Sequence, residues 1–442
     1  MTRSLTLVAA LLALALTPAC DGGGNNGGGA PDTGGADVAA PDTVADVGGA
    51  DTGPVEDLVI PEDTPPPLDV IIDDHLRVGA AVLSMNTPIG MSTAGYGQSG
   101  NGGYKKSPLV GLFIATDHEH TDIACKAIWV EKGDARLAIA SIDVIGVTQD
   151  IVKIAEDRLE KALGLDMQGK VLLSGTHTHL GPGRLSPNYM WEVAADLYWQ
   201  HYYDRFTGRI VECLLEARAD LEYGAIGHGV TECPTAHSDR RCENPEFMDD
   251  RMWVLRLDKE DGTPKAAVVN YALHGTVFGW SDAVLSGDAP GAVSQKIEEN
   301  LTAPIPVVFV NSWGGDAGPG DPDVAPPEVT CDAIPGDHTR MEAIGYTAWE
   351  AFSGIWDDIE TSEDAIIDSV TYAVPLDTQV IGYAPGEFDY PNGGGLCGNQ
   401  GDVPCWGEEG PDPNMLACLP LLPDTLFTHT ALSAARFGDL LI

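Results

Sequence analysis

Apolar residues along this chain gather in short unbroken runs, separated by longer stretches that alternate at helical spacing. Six runs, at 79–83, 137–143, 170–174, 252–257, 266–271 and 305–311, are dense in Val, Ile, Leu and Ala. Runs this short, with little polar alternation, predict strands buried on both faces. Between them, Ile151, Ile154, Ala155, Leu159 and Ala162 recur at helical spacing behind Asp150, which is placed to cap. One long helix is expected over 192–221, with Leu197, Tyr198, Phe206, Ile210, Leu214 and Leu215 on its apolar side. Another is expected from near Asp288 to about Asn300. Strands alternating with helices predict an α/β fold of mixed β-sheet layers flanked by helices. The Gly/Pro-rich stretches 312–338 and 383–420 are too long for plain connections, and sites are usually built on such loops.

The N-terminus follows another pattern. Arg3 precedes an apolar stretch, 5–16, too short to span a bilayer and suited to a signal peptide. It ends in Leu16-Thr17-Pro18-Ala19-Cys20, resembling the lipobox of bacterial lipoproteins. Residues 1–20 are therefore expected to be a lipoprotein signal, with acyl chains on Cys20 anchoring the protein in the cell envelope or outside the cell. An ordinary secretory signal with an incidental Cys is the alternative. Residues 21–74 hold 13 acidic residues and neither Lys nor Arg nor an aromatic. Such a segment buries too little apolar surface to offset its ordering entropy, so a disordered acidic linker is expected. The globular domain is expected over 75–442.

Composition narrows the partners. Lys and Arg number 24 against 67 Asp and Glu, a formal net charge of -43. That charge repels phosphate backbones, which excludes nucleic acid as a partner, and disfavours electrostatic docking on anionic lipid. Beyond the leader no apolar run is long enough to cross a membrane. Besides Cys20 there are eight cysteines, an even number that suggests disulfides in an exported protein. The close pairs Cys233 with Cys242 and Cys397 with Cys405 are the expected bridges.

Four strings carry candidate chemistry. In Thr176-His177-Thr178-His179-Leu180-Gly181-Pro182-Gly183 a strand empties into His-x-His, whose period places both imidazoles on one side of an extended chain. Paired imidazoles seed metal sites, although two hydrogen-bonded histidines at a strand end fit equally well. His118-Glu119-His120 repeats the spacing before another strand-like run. Asn270-Tyr271-Ala272-Leu273-His274-Gly275 ends a strand with a histidine at a glycine turn, suited to a general base, an oxyanion partner or simple packing. Asn311-Ser312-Trp313-Gly314-Gly315-Asp316 ends a strand in a glycine turn where Asp316 orients a ligand, binds metal or caps the turn.

Taken in order, with Gly146-Val147-Thr148-Gln149-Asp150 and Leu285-Ser286-Gly287-Asp288, these strings resemble the N-terminal catalytic domain of neutral/alkaline non-lysosomal ceramidases over roughly 75–442. The resemblance implies a zinc amidohydrolase that cleaves the N-acyl bond of a sphingolipid-like substrate. It implies His120 and His179 as metal ligands, with His177, His274 and Asp316 in catalytic or orienting roles. It also marks two departures. Gly318 stands where the family has a serine proposed to act in catalysis. The family's Pro-Gly-Glu motif and Tyr ligand fall beyond Ile442, so the domain is expected to be incomplete at its C-terminus. The competing expectations are a surface-binding lipoprotein that keeps the fold without the chemistry, and a hydrolase of other amides or esters.

Overall fold

The computed structural model describes residues 74–96, 107–240, 248–322, 336–375 and 429–441. The expected leader with Cys20, the linker short of Asp74, the 383–420 loop and Cys242, Cys397 and Cys405 lie outside the described residues. The described chain begins with β1 (Arg77–Ser84), β2 (His118–Glu119), β3 (Ala124–Lys132), β4 (Ala135–Ile142), α1 (Gln149–Leu163) and β5 (Val171–Gly175). It continues through α2 (Tyr189–Ala195), α3 (Gln200–Ala219), β6 (Glu222–Glu232), β7 (His237–Asp239), β8 (Arg251–Lys259) and β9 (Pro264–Tyr271). Then come β10 (Val284–Leu285), α4 (Asp288–Asn300), β11 (Val307–Asn311), β12 (Ala317–Pro319), α5 (Gly336–Trp356), β13 (Ile367–Pro375), β14 (His429–Phe437) and β15 (Leu440–Leu441). No described helix is long and apolar enough to cross a membrane.

Eight strands form one mixed sheet in the order β11-β9-β8-β6-β1-β3-β4-β5. Its halves are joined where β1 meets β6 over only two residue pairs, Arg77 with Tyr223 and Val78 with Glu222. Around this narrow join the sheet turns back on itself. The Ser141 hydroxyl of β4 donates to Phe309 O of β11, the opposite edge, at 2.5 Å. Side chains of both halves share one buried cluster: Val78, Ile128, Leu137 and Ile139 from one, Leu255, Leu257, Val268 and Val308 from the other. Helices cover the outer faces. α1 and α3 pack over Trp129, Ala138 and Ala140, and α4 and α5 over Met252, Val254, Ala267 and Val269. Strands β3, β4, β8 and β9 are thus buried on both sides, which is why the sequence shows unbroken apolar runs there rather than alternation.

Three local expectations change. The helix expected over 192–221 is two helices, α2 and α3. Asp196 interrupts them in the left-handed region, φ 66°. Its buried carboxylate accepts the N–H groups of Gly111 (2.8 Å), Leu112 (2.7 Å) and Leu197 (2.7 Å) and the Ser92 hydroxyl (2.8 Å). Four donors on one buried carboxylate outweigh a continued helical turn. At α1 the capping position belongs to Thr148, in extended geometry, and Asp150 sits inside the first turn. There it favours the helix dipole and accepts the Tyr203 hydroxyl. The strand expected at 305–311 begins at Val307, after Pro304 and Pro306, which have no N–H to give a ladder. Cys125, Cys213 and Cys233 are buried free thiols.

Candidate metal centre

The loops that follow β5 and β9 come from opposite halves of the sheet and are stitched together at one point. Thr178 and Gly275 form an isolated parallel bridge, and His179 N–H donates to Gly275 O at 3.0 Å. This approach requires glycine: a Cβ on Gly275 would lie 2.6 Å from Thr178 Cα. Asn311, the last residue of β11, clips both loops from below. Its side-chain N–H group donates to Thr176 O (2.9 Å) and Leu273 O (2.6 Å), and its Oδ1 accepts Leu273 N–H (3.2 Å). Thr176 and Leu273 immediately precede His177 and His274, so one amide fixes both histidine-bearing turns.

Three imidazoles converge there. The donor atoms of His177, His179 and His274 all lie within 4.8 Å of one another. His274 Nε2 is 3.2 Å from His177 Nε2 and 3.1 Å from His179 Nε2. The tautomers of two rings follow from their other partners. His177 Nδ1 meets Ile145 O at 2.7 Å, and His274 Nδ1 meets Gly314 O at 2.8 Å. A carbonyl only accepts, so each Nδ1 carries the proton and each Nε2 presents a lone pair. Two lone pairs opposed at 3.2 Å repel unless a cation sits between them. His179 Nδ1 is buried without a hydrogen-bond partner. Ligands at ~2.0–2.1 Å around a tetrahedral ion stand about 3.3 Å apart, close to the two separations from His274 Nε2. The donor set and spacing therefore fit a divalent metal held by three Nε2 atoms.

The electrostatics favour neutral rings. Burial, then the neighbouring His177 and His274, push His179 down to about 3. Burial also lowers His177, with the positive charge of Arg240 in the same direction. His177 holds φ 70°, unusual for a residue with a Cβ. Its N–H bond to Val144 O (3.0 Å) and its ring bond to Ile145 O lock it in place. Tyr96 packs against His179 with ring centroids 4.9 Å apart and gives its hydroxyl to Phe278 O at 2.5 Å. Burial and the Asp288 charge raise its ionisation well above the usual phenol range. Asp288 holds the loop after His274 by accepting Val277 N–H (3.0 Å) and Phe278 N–H (3.3 Å). Burial pushes its carboxyl up to about 6 against these bonds.

Among the described residues, the converging group does not include His120 or Asp316. His120 Nδ1 faces Ser286 Oγ at 3.2 Å, and its ring stands edge-on to His338 with centroids 4.8 Å apart. Asp316 contributes its backbone: its carbonyl accepts Arg240 N–H at 2.9 Å. Gly318 pairs with Ser238 across β12 and β7. A Cβ there would stand 3.1 Å from Arg240 Cβ, so a side chain at 318 would require Arg240 to give by a few tenths of an ångström. Sequence reasoning missed Arg240, which donates twice to Gly315 O (3.0 and 2.8 Å), and also Tyr96 and Asn311. Their local sequence does not give these roles, because each acts on groups distant in the chain, 75 residues for Arg240, 182 for Tyr96 and 38 and 135 for Asn311.

The family model "Neutral/alkaline non-lysosomal ceramidase, N-terminal" matches residues 120–319, a segment containing all three histidines. Over that segment the chain is similar to the neutral ceramidases. Neutral ceramidase B of Dictyostelium discoideum is 25% identical over 213 residues, covering 43% of this chain and 30% of that protein. Neutral ceramidase of Pseudomonas aeruginosa is 24% identical over 178 residues, covering 38% and 27%. The crystal structure of the Pseudomonas aeruginosa enzyme superposes with a TM-score of 0.65 at 18% identity, covering 84% of this chain and 62% of that one. A ceramidase complexed with C2 gives 0.62 over 84% and 63%. The fold is therefore that of the Pseudomonas aeruginosa neutral ceramidase structure, and the sequence match spans less than a third of either relative's length.

Proposed function

We propose that this chain belongs to a zinc-dependent amidohydrolase, anchored outside the cell through Cys20, that cleaves the N-acyl bond of a sphingolipid-like amide. The observation that carries this reading is the convergence of His177, His179 and His274, with His274 Nε2 3.2 Å from His177 Nε2 and 3.1 Å from His179 Nε2. The metal is assigned to these three, with His120 outside the set. A divalent ion supplies Lewis acidity to an acyl carbonyl and to water when bound. The residues of this chain then have separable tasks. The carbonyls of Ile145 and Gly314 keep His177 and His274 in the ligand tautomer. Arg240 sets a fixed positive charge felt at both His177 and His179, which favours negative charge developing on an acyl oxygen. Tyr96 covers His179 and excludes water from one side of it.

Gly318 favours a second reading, a lipid-binding envelope protein that keeps the fold without turnover, since glycine supplies no hydroxyl. Turnover of fluorescent N-acyl sphingosine analogues by the full chain decides between them. Hydrolysis that is lost in His274→Ala and in chelator, and restored by zinc, supports the hydrolase. Absence of hydrolysis in zinc-loaded protein supports the binding protein.

A further inference from the structure

Two of the three cysteines among the described residues lie against each other. Cys125 sits on β3 and Cys213 on α3, separated by 88 residues of sequence, and both are fully buried. The Cys213 thiol donates to Cys125 O at 3.3 Å. Burial, and then a hydrogen bond and charge from the Cys213 thiol, push the Cys125 thiol up. The alternation of β3 sets the direction of Cys125. Ile123, Cys125, Ala127 and Trp129 join the cluster beneath α1 and α3, while Ile128 and Val130 join the cluster between the half-sheets. On α3, Phe206, Ile210, Cys213 and Ala217 recur at helical spacing in that same outer cluster. Strand and helix thus turn their sulfurs into one shared layer, the mutual orientation that a bridge requires.

A single buried cysteine packs as a small apolar side chain. Two that meet across a strand and a helix, in a chain with eight cysteines besides Cys20, point to a bond. We infer that Cys125 and Cys213 close to a disulfide while the chain folds, and that the bridge staples α3 to β3. The timing follows from burial. A thiol without solvent contact is shielded from oxidant and kept from ionising, so closure precedes the final packing of α3. The oxidant is a small or protein-borne disulfide. One cysteine, its proton lost to water, attacks the oxidant's S–S bond as a thiolate, forms a mixed disulfide and releases one thiolate. The second cysteine thiolate attacks the protein sulfur of that mixed disulfide, forms the Cys125–Cys213 bond and expels the other half of the oxidant. Each released thiolate takes up a proton from water, and two electrons have passed from the cysteine pair to the oxidant. The closed loop carries His177 and His179, so the staple limits how far the unfolded chain can carry those ligands from β3.

The test is peptide mapping of the full chain after refolding from the reduced state in a mixture of oxidised and reduced glutathione. The product is blocked with iodoacetamide in denaturant, without reduction, and then digested. The expected result is a linked pair of peptides joining Cys125 to Cys213, which separates into two thiol peptides on reduction. Alkylation of both residues in the unreduced protein overturns the inference, and so does pairing of either one with another cysteine. Thermal unfolding gives a second readout. Reduction should lower the Tm of the parent by about 5–10 °C more than that of the combined Cys125→Ala and Cys213→Ala variant. An equal loss in both overturns the staple. Neither measurement depends on zinc or on turnover, so the bridge stands or falls separately from the hydrolase reading.

Discussion

His177 and His274 confront each other through Nε2 atoms 3.2 Å apart, while each gives its Nδ1 proton to a backbone carbonyl. That arrangement is a store of repulsion without a cation and a ligand pair with one. Metal binding should therefore stabilise the fold by linkage, by about 4 kcal/mol when free zinc is a thousandfold above its dissociation constant. Thermal unfolding with and without zinc checks this. An unchanged Tm under saturating zinc would show that no ion enters between these rings.

Asn311 is the clip beneath both histidine turns. Asn311→Ala leaves two carbonyls and one N–H without their partner. A loss of about 2–3 kcal/mol in urea unfolding is expected, together with weaker zinc binding. Asn311→Ala with normal zinc affinity would mean that the turns are held by the bridge between Thr178 and Gly275 alone.

Two glycines, Gly275 beside His274 and Gly291 inside α4, should respond oppositely to alanine. Gly275→Ala drives a Cβ to within 2.6 Å of Thr178 Cα and should separate the two loops, with loss of both stability and metal. Gly291, inside α4, has open space around its missing side chain. Gly291→Ala should raise stability by about 0.5–1 kcal/mol. Parallel denaturant curves decide both.

Asp288 makes stability depend on pH. Its carboxyl stands near 6 in the fold against 3.8 as the ordinary value. Between those values the folded protein keeps a proton that the unfolded chain has released. Stability should fall as pH rises from about 4 to about 6, by about 3 kcal/mol, and lose this component above pH 6. Asp288→Asn should flatten the difference across that window. Matching pH profiles for parent and variant would place the shift elsewhere.

The parts of the fold legible in the sequence were those with a local cause. The runs at 137–143 and 266–271 read as buried strands because helices and the opposed half-sheet cover both of their faces. The break at Asp196 was not legible. Leu197 and Tyr198 continue the helical pattern, and only the distant N–H groups of Gly111 and Leu112 explain why the chain turns there. The site divides in the same way. His177, His179 and His274 stood out by their place at strand ends. Spacing alone gave His118-Glu119-His120 the same weight as His177-Thr178-His179, since it carries no information on which strands become neighbours. Arg240, Tyr96 and Asn311 acquire their roles only when the two half-sheets meet.

The central claim is that one ion sits among the three imidazoles, and metal stoichiometry tests it most directly. Elemental analysis of the purified full chain should give about one zinc per molecule, lost in His274→Ala and in His177→Ala and retained in His120→Ala. Zinc that survives both triad substitutions and disappears with His120→Ala would contradict the account.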